Sequence, residues 1–406
     1  MRHPVLVLNA GSSSLKFSVY DTRDDRSLDA GVHGQIDSLH VAPRLTVVDA
    51  HGVLLADRAV ARPGHHAAIE ALHAWFADHV GREAAFDGVG HRVVHGGPYF
   101  TAPVRIDARV LETIASLAPL APLHQPHHVD AIRAVAAVAP ELPQVACFDT
   151  AFHATMPALE REFALPRALT EQGIVRYGFH GLSYEYVSGV LAELDPAWRQ
   201  RRTIIAHLGN GASLCALEEG RSVATTMGFT AVDGLPMGTR TGSLDPGVIL
   251  YLLRHDGRSV DDVEHLIYAE SGLLGVSGVS SDMRTLLASD APSAAHAVEL
   301  FAYRVAREMA ALAGVLGGVD TLVFTAGVGE HAPRVRELIC ARAAWLGIAV
   351  DASANAAGRA VISTDASRVT VRVMPTDENL MIARHTRRVL DGAVSSPSTS
   401  SASLSR

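Results

Sequence analysis

The sequence predicts an α/β fold built from two similar domains. Strand-like aliphatic runs alternate with amphipathic helical patterns, an arrangement typical of α/β proteins. A strand–turn–strand pattern at residues 5–20 recurs near Thr203, where a Gly- and Asn-rich turn again separates two strand-like runs. A length of 406 residues is long for one hydrophobic core. Together these observations favour a duplicated domain.

Composition narrows the class of protein. A hydrophobic content of 48% with 19% charged residues is globular. Three widely spaced cysteines form neither a disulfide framework nor a zinc motif. With no signal peptide and no apolar run near the ~20 residues that cross a bilayer, we expect a cytoplasmic protein without a membrane partner. The net charge of −8 argues against general nucleic-acid binding, so an anionic substrate would need local cations.

The first turn is a candidate phosphate site. Four aliphatic residues, Val5 to Leu8, predict a buried strand, and Asn9 to Ser14 predict a tight turn. Alternation after the turn directs Lys16 away from the apolar face. Backbone N–H groups, the Ser12 and Ser14 hydroxyls and the Lys16 ammonium would suit a nucleotide phosphate. The G-x-x-x-x-G-K-[ST] motif is absent, so this is a different kind of phosphate loop.

Lys16 is the only lysine among the 35 lysine and arginine residues. Arginine is a wide planar fork, whereas lysine is a compact charge on a flexible stem. The functional interpretation is a site with no room for a guanidinium. The alternative is an ordinary serine-rich hairpin with an exposed lysine, which a fully active Lys16→Arg variant would favour.

Other segments have clear patterns. Asp107 can N-cap a helix, and a second helix places Ile69, Leu72, Phe76 and Val80 at helical spacing. The long Gly-rich stretch 225–247 predicts a functional loop. Strand 321–325 leads into a Gly-rich turn at 327–330, and a final helix begins near Asp377. The serine-rich tail, residues 395–406, is predicted to be disordered.

Several residues could carry chemistry. Arg92 and Val94 share a strand face, where a guanidinium beside an aliphatic group suits a small carboxylate with a short alkyl tail; the alternative is an arginine paired with a structural carboxylate. Asp149 ends a strand, where α/β folds build ligand sites, and fits Mg²⁺ or substrate binding. His180 and Arg240 could supply an imidazole and a guanidinium, although each alone could be an ordinary surface residue.

A second group resembles nucleotide-binding elements. His207 to Gly211 form a second phosphate turn, Asp282 to Arg284 begin a helix that could contact a nucleoside, and Gly327 to Gly329 allow close backbone approach. Glu378, at the start of the last helix, could hold a metal through water or simply favour the helix dipole.

Two further patterns are typical of other sites, a dinucleotide-binding loop and a metal site, but other features of the sequence argue against both. Gly327-x-Gly329-x-x-Ala332, with Asp351 downstream, approaches a dinucleotide-binding fingerprint but leaves the other turns and the single lysine unexplained. The cluster of His124, His127 and His128 lacks H-E-x-x-H, and with 21 histidines in the chain chance clustering accounts for it better.

The ordered set of motifs resembles the acetate kinase family from Val5 to about Arg388. They are Asn9–Lys16, Gly90–Gly97, Phe148–His153, Tyr177–Gly181, His207–Gly211, Met237–Gly242 and Thr325–Glu330. The resemblance implies the actin-like, ribonuclease H-like ATPase fold: two similar α/β domains around a nucleotide cleft. The first would span 1–150 and be completed by a C-terminal helix at about 380–392, and the second would span 151–379. It also implies a cytoplasmic homodimer that uses ATP and Mg²⁺, with Mn²⁺ as a substitute, to make acetyl phosphate reversibly.

The resemblance assigns roles residue by residue. The catalytic positions are Asp149, His180 and Arg240, and the acetate-binding positions are Arg92, Val94, Leu123 and Phe179. The ATP/ADP positions are Ser12, Ser14, Lys16, His207, Leu208, Gly209, Asn210, Gly211, Asp282, Met283, Arg284, Gly327, Val328, Gly329, Glu330 and His331. The magnesium positions are Asn9 and Glu378.

Chemistry modifies one of these roles. Acetate is already ionised at pH 7, so its attack on phosphorus needs no general base. We therefore expect Asp149 to orient the metal or a partner side chain, and we expect Asp149→Asn to behave as a metal-affinity defect.

The sequence also departs from the family pattern. Ala231 stands where proline is usual, which would leave room for propionate; His331 replaces a common asparagine and Asn379 a common glutamate. A propionate or short-chain acyl kinase of the same fold is the near alternative. A nicotinamide-dependent oxidoreductase and a non-catalytic nucleotide switch are the alternatives from other classes.

Overall fold

The structure is a computed structural model that describes residues 4–24, 27–79 and 86–392. The chain divides into two compact units, one formed by Met1–Ala151 with Asp377–Arg406 and the other by Phe152–Thr376. The predicted disordered tail and the predicted core residue Val80 lie outside the described residues.

The first unit is built on one mixed sheet. Its strands, in the part of the chain that the structure describes, are β1 (Pro4–Ala10), β2 (Leu15–Asp24), β3 (Ser27–Asp37), β4 (Arg44–Val48), β5 (Leu54–Ala59), β6 (Gly88–Val93), β7 (Val104–Arg105) and β8 (Gln144–Phe148). Their order across the sheet is β5-β4-β3-β2-β1-β6-β8-β7. β1 to β5 are joined antiparallel, whereas β1, β6 and β8 run parallel.

The alternation predicted for β2 is present. Leu15, Phe17 and Val19 are buried in the main core of this unit, and Lys16 is exposed. Lys16 pairs directly with Asn9 of β1. Because directly opposed residues point to the same face of a sheet, the ammonium and the amide share the face opposite that core.

Helices cover the first sheet. They are α1 (His65–His79), α2 (Ala108–Ser116), α3 (Gln125–Val138) and, from the far end of the chain, α15 (Glu378–Leu390). Asp107 caps α2 as predicted, since its Oδ1 accepts a 2.7 Å hydrogen bond from Val110 N. α15 packs on β6, where a Cβ atom at Gly88 would lie 2.7 Å from Leu390 Cδ1. This glycine therefore lets the last helix approach the sheet closely.

Polar contacts also hold α15 to the first sheet. Asn379 Nδ2 donates to Ser18 Oγ at 3.1 Å, and Tyr20 OH donates to Asp377 Oδ1 at 3.3 Å. Arg387 forms an ion pair with Asp87. The first two contacts fix the first turn of α15, which carries Glu378, and the ion pair holds its last turn.

The second unit has a smaller mixed sheet. Its strands, among the described residues, are β9 (Thr203–Leu208), β10 (Ala212–Glu218), β11 (Arg221–Thr225), β12 (Thr321–Thr325) and β13 (Thr370–Val373), in the order β11-β10-β9-β12-β13. Its helices are α4 (Ala158–Arg161), α5 (Arg167–Glu171), α6 (Gly181–Leu194), α7 (Pro246–Arg254), α8 (Val260–His265), α9 (Gly272–Ser277), α10 (Met283–Leu287), α11 (Pro292–Leu316), α12 (Ala326–His331), α13 (Pro333–Arg342) and α14 (Ala352–Ala356).

The two sheets share a topology. Strands β3-β2-β1-β6-β8 of the first unit and β11-β10-β9-β12-β13 of the second have the same order, and in both the first three are antiparallel and the last three parallel. The faint strand–turn–strand repeat in the sequence therefore corresponds to equivalent hairpins, β1–β2 and β9–β10.

One local expectation is corrected. The sequence predicted a Gly-rich turn at 327–330, but α12 (Ala326–His331) begins directly after β12. Ala326 has φ +64°, a left-handed conformation that is uncommon outside glycine. This conformation lets the chain change from strand to helix without an intervening loop. The stretch from 226 to 245 is irregular, as predicted.

No helix within the described residues is both long enough and apolar enough to span a bilayer.

Stability is predicted to fall in mild acid. Burial lowers the pKa of His91 to about 4, although its hydrogen bond with Gln144 opposes the shift. An unfolded histidine titrates near 6.5, so below that pH the unfolded chain takes up a proton that the folded chain does not. The contribution of His91 is complete above pH 6.5 and decreases as pH falls toward 4. Between pH 7.5 and 5.5 the loss would be about 1.3 kcal/mol.

The measurement is the urea midpoint across this pH range. His91→Gln should show a weaker pH dependence than the wild type, whereas His73→Gln, at an exposed position of α1, should not. An unchanged dependence in His91→Gln would contradict the prediction.

Candidate active site

The candidate residues of the first unit lie at the carboxyl ends of parallel strands. Asn9 is near the end of β1, Arg92 is near the end of β6 and Asp149 follows β8 directly. The strand register pairs Leu8 with His91 and Arg92 with Cys147, so the three residues are nearly level. Open α/β sheets build ligand sites at this edge.

Arg92 and Asp149 form a two-point ion pair. Arg92 Nε donates to Asp149 Oδ1 at 3.0 Å, and Nη2 donates to Oδ2 at 2.6 Å. Glu378 approaches from α15, with its Oε2 3.8 Å from Arg92 Nε. Asp149 is 1% exposed, whereas the Arg92 side chain retains 22% exposure. The carboxylate is thus shielded from solvent, and the guanidinium remains partly accessible.

The electrostatics fix the protonation of Arg92. Burial alone would lower the pKa of the guanidinium, but the charges of Asp149 and Glu378 raise it above its ordinary value. The side chain is therefore a permanent cation held in one orientation. A planar guanidinium held in this way is suited to a second carboxylate, because a fork of N–H donors matches carboxylate geometry.

The pair bears on the role of Asp149. The sequence allowed Asp149 to orient either a metal or a partner side chain, and the observed partner is Arg92. The pair gives a competing prediction, in which Asp149→Asn acts by releasing Arg92. The expectation of a metal-affinity defect stays a prediction.

The three apolar residues predicted to bind acetate differ in exposure. Val94 is 5% exposed, and its backbone N–H donates to His128 Nδ1 at 3.2 Å. Leu123 is 45% exposed. Both belong to the same unit as Arg92, whereas Phe179 belongs to the second unit and is 2% exposed.

The predicted phosphate turn is a tight hairpin. Gly11 N donates to Ser14 O at 2.8 Å, which closes the loop between β1 and β2. Ser12 is exposed and Ser14 is half-buried. Lys16 follows on the first residues of β2, so the turn presents hydroxyl groups and one ammonium together.

In the second unit, candidate residues are organised around Gly211. A Cβ atom at this position would lie 3.2 Å from His180 Nε2 and 3.7 Å from Arg240 Nη1. The structure therefore brings both predicted catalytic side chains, those of His180 and Arg240, to the turn 209–211, which joins β9 to β10. Gly209 N donates to Gly211 O at 3.0 Å and keeps this turn tight.

His180 is held by a short network. Its Nδ1 lies 2.8 Å from Ser213 Oγ, and Tyr184 OH lies 2.5 Å from the same oxygen. His180 precedes α6 with φ +59°, a strained conformation of the kind that clusters at functional sites. Because Nδ1 is engaged, Nε2 is the nitrogen that adjoins Gly211.

His207 supports the same ring. The His180 and His207 imidazoles stack with centroids 4.1 Å apart and planes 18° apart. His207 Nδ1 lies 2.8 Å from Ser183 Oγ, which in turn accepts from Thr376 Oγ1 at 2.8 Å. His207 is buried, so one of its functions is to restrict the position of His180.

Arg240 is anchored by the long loop. Its Nη1 donates to the Ala231 carbonyl at 3.1 Å and approaches Met237 Sδ at 3.6 Å. Gly238 N donates to the Asn210 carbonyl at 3.1 Å, so the loop is attached to the β9–β10 turn. Residue 231 therefore positions the arginine through its backbone.

Most of the other predicted nucleotide-binding residues lie in α12 or at the start of α10, and Leu208 is the last residue of β9. Apart from its chain neighbours and the backbone of its own helix, no described atom lies within 4 Å of where a Cβ atom at Gly327 would be, so the start of α12 has room for a ligand. Leu208 and Gly329 are buried, Val328 and Glu330 are half-buried, and His331 is exposed.

Asp282 and Arg284 pair with one another. Asp282 caps α10 by accepting from Arg284 N at 2.7 Å, and its carboxylate lies 2.9 Å from Arg284 Nη2. Arg284 and the cap lower the pKa of Asp282 to about 2. Met283 is 4% exposed, so its side chain belongs to the core.

Three supporting residues were not predicted from the sequence. Ser213 and Tyr184 hold His180, as described above. Arg336 is 1% exposed and donates from Nη1 to the carbonyls of Gly329 and Glu330, each at 2.8 Å, so it fixes the end of α12. A serine, a tyrosine and one of many arginines carry no distinguishing sequence signal without the topology.

Comparison with known proteins decides the family. The profile of the acetokinase family matches residues 4–384. The acetate kinase of Rhodopseudomonas palustris strain ATCC BAA-98 is 51% identical over 397 residues, covering 97% of this chain and 100% of that protein. The chain belongs to the acetokinase family.

Two solved structures of relatives are similar to this chain over nearly its whole length. The propionate kinase of Francisella tularensis superposes with a TM-score of 0.88 at 37% identity, covering 94% of this chain and 98% of that one. The acetate kinase of Porphyromonas gingivalis gives a TM-score of 0.86 at 38% identity, covering 96% and 100%. The predicted α/β, actin-like ATPase fold class of this acetokinase family member is confirmed.

Gly211→Ala tests the cluster around the second turn. The added methyl group would displace His180 or Arg240, while the backbone at Gly211 needs no left-handed conformation. We expect kcat to fall by about tenfold or more, since small misplacements of catalytic groups cost this much. Gly189→Ala in α6 is the matched control, because no described atom outside its chain neighbours and its own helix backbone lies within 4 Å of its Cβ position. Equal kcat values for the two variants would contradict the prediction.

Asp149→Asn tests the orienting role. Asparagine can accept only one of the two hydrogen bonds from Arg92 and lacks the charge. We expect kcat/KM for the carboxylate substrate to fall by about 100-fold, with an unchanged dependence on Mg²⁺ concentration. Recovery of activity by added Mg²⁺ would contradict this prediction and favour a role for Asp149 in metal binding.

Proposed function

We propose that this protein is an acetate kinase that transfers the γ-phosphoryl group of ATP to acetate, reversibly and in line, giving acetyl phosphate and ADP. The observation that carries the proposal is the Arg92–Asp149 pair, which presents an oriented and permanently charged guanidinium. By family resemblance, Val94, Leu123 and Phe179 are assigned to the acetate methyl group. Membership of the acetokinase family supports the reaction.

The reaction requires alignment and charge neutralisation more than proton transfer. Acetate is ionised at neutral pH and attacks without a base. Phosphoryl transfer is accelerated mainly by holding the nucleophile in line and by balancing charge on the transferring oxygens. Arg92 would bind the nucleophile, while Arg240 and His180 Nε2 would contact the transferring group. Asp149 acts through Arg92 and is a positioning residue.

Nucleotide binding is assigned to both turns. Lys16, Ser12 and Ser14 would contact phosphate, as would the turn from His207 through Leu208, Gly209 and Asn210 to Gly211. The start of α12 and the segment 282–284 would contact the rest of ATP. The pairing of Asp282 with Arg284 leaves backbone groups and the exposed Arg284 side chain for that role.

Magnesium fits the donors present. Asn9 and Glu378 offer amide and carboxylate oxygens, the ligands that Mg²⁺ prefers. Bound Mg²⁺ would neutralise phosphate charge, and Mn²⁺ would substitute because it accepts similar oxygen ligands. We assign the protein to the cytoplasm, where ATP is available.

A hydroxamate assay tests the activity. Acetate, propionate and butyrate are compared in parallel with ATP and Mg²⁺. We expect acyl phosphate from acetate, and Arg92→Gln should raise KM for acetate. ATP turnover that does not depend on any added carboxylate would reject the proposal.

Propionate kinase activity is the second candidate, favoured by Ala231 and by the Francisella relative. A smaller residue at position 231 leaves more room, although one methylene changes specificity by only about 1–3 kcal/mol. We expect Ala231→Pro to raise the acetate-to-propionate ratio of kcat/KM. Identical ratios in the two proteins would reject the role of Ala231.

We also propose a homodimer through α7. All residues of α7 are described and none is buried, yet it includes Leu250 and Tyr251, which are 49% and 61% exposed. Exposed apolar helices of this kind mark interfaces between subunits.

Light scattering measures this association. Leu250→Glu should halve the mass or make it depend on concentration. Leu159→Glu, at a 94% exposed leucine of α4, is the control and should leave the mass unchanged. A monomeric wild type would reject the dimer.

A further inference from the structure

A histidine cluster lies beside the first phosphate turn. His65, His127 and Asp130 each offer a ligand atom, and these atoms lie within 4.8 Å of one another. His40 adjoins them, with its ring centroid 6.2 Å from that of His65 and 6.4 Å from that of His127. The His65 and His127 rings are 5.5 Å apart. This cluster shares only His127 with the group of His124, His127 and His128 noted in the sequence. Of the other two, His128 is buried and accepts a hydrogen bond from Val94 N.

The fold holds the cluster in place. His127 and Asp130 are three residues apart on α3, so they lie on one face of that helix. His65 is the first residue of α1, and His40 lies in the turn between β3 and β4. Gly64 N donates to Leu39 O at 2.7 Å, which ties this turn to the start of α1.

The geometry points to a site for a zinc-class cation. We propose that His65, His127 and Asp130, with His40 as a fourth ligand, bind Zn²⁺ or a similar imidazole-preferring divalent ion. Two imidazoles on one tetrahedral zinc would have centroids roughly 5 Å apart, given Zn–N bonds of about 2 Å. The observed centroid separations require only small side-chain movements. Mg²⁺, which takes oxygen ligands, would not compete for this donor set.

His65 has the support expected of a metal ligand. Its Nε2 lies 3.1 Å from Gly11 O, so Nε2–H donates to that carbonyl and the other ring nitrogen keeps its lone pair. Metal-bound histidines commonly donate their second nitrogen to a backbone carbonyl in this way.

The same contacts connect the site to the phosphate turn. Gly11 accepts from His65, and Leu39 N, adjacent to His40, donates to Ser13 O at 3.0 Å. An ion bound by the cluster would therefore restrain the residues at both sides of the turn. The inference covers binding of the ion and this restraint, and neither requires the proposed kinase activity.

Calorimetric titration of the full-length, tag-free protein with Zn²⁺, in buffer containing Mg²⁺, tests the binding. We expect one ion per chain. His127→Ala and Asp130→Asn should each weaken binding by at least about tenfold, whereas His73→Ala should not change it. His127 is half-buried and Asp130 is exposed, and equal melting temperatures without metal would show that the variants are folded. Wild-type affinity in both variants, or no saturable binding by the wild type, would overturn the proposal.

Hydrogen–deuterium exchange tests the restraint. With Zn²⁺, amides in the segment 11–14 should exchange more slowly in the wild type, and His127→Ala should show no such change. Binding of Zn²⁺ without altered exchange in this segment would overturn the connection to the turn.

Discussion

The candidate site depends on a buried carboxylate that orients a partly exposed guanidinium. Asp149 is almost completely shielded and bonds Arg92 through both oxygens. A carboxylate charge at this depth would be costly without a cationic partner, so Arg92 stabilises the buried Asp149. The pair leaves Arg92 charged, fixed and accessible, which is the state needed to bind a second anion.

This arrangement requires that the C-terminal helix α15 pack on the first sheet. Glu378 reaches Arg92 only because α15 returns to the first sheet, where a glycine at position 88 permits close packing. The duplicated topology supplies the rest. In each unit, candidate residues gather where parallel strands end and an antiparallel hairpin turns, so one architecture produces both the Arg92–Asp149 pair and the cluster around Gly211.

Much of this could be predicted from the sequence because it depends on local patterns. Alternation placed Lys16 opposite the core, Asp107 was identified as a cap, and the ordered motifs gave the family and the fold class. The Gly-rich segment 327–330 was misjudged because glycine favours turns in isolation, whereas here Ala326 takes the left-handed conformation and the helix begins at once. Ser213, Tyr184 and Arg336 escaped notice because their roles arise from contacts between distant segments. The cluster of His65 with His127 was missed for the same reason, since it joins two different helices. The roles assigned to individual site residues stay predictions.

The most direct measurement is a double-mutant cycle on kcat/KM for acetate with Arg92→Gln, Asp149→Asn and the combined variant. If Asp149 acts by holding Arg92, the double variant should be little worse than Arg92→Gln alone, because the carboxylate has nothing left to orient. If the two losses multiply, Asp149 acts independently of Arg92, and the central claim is contradicted.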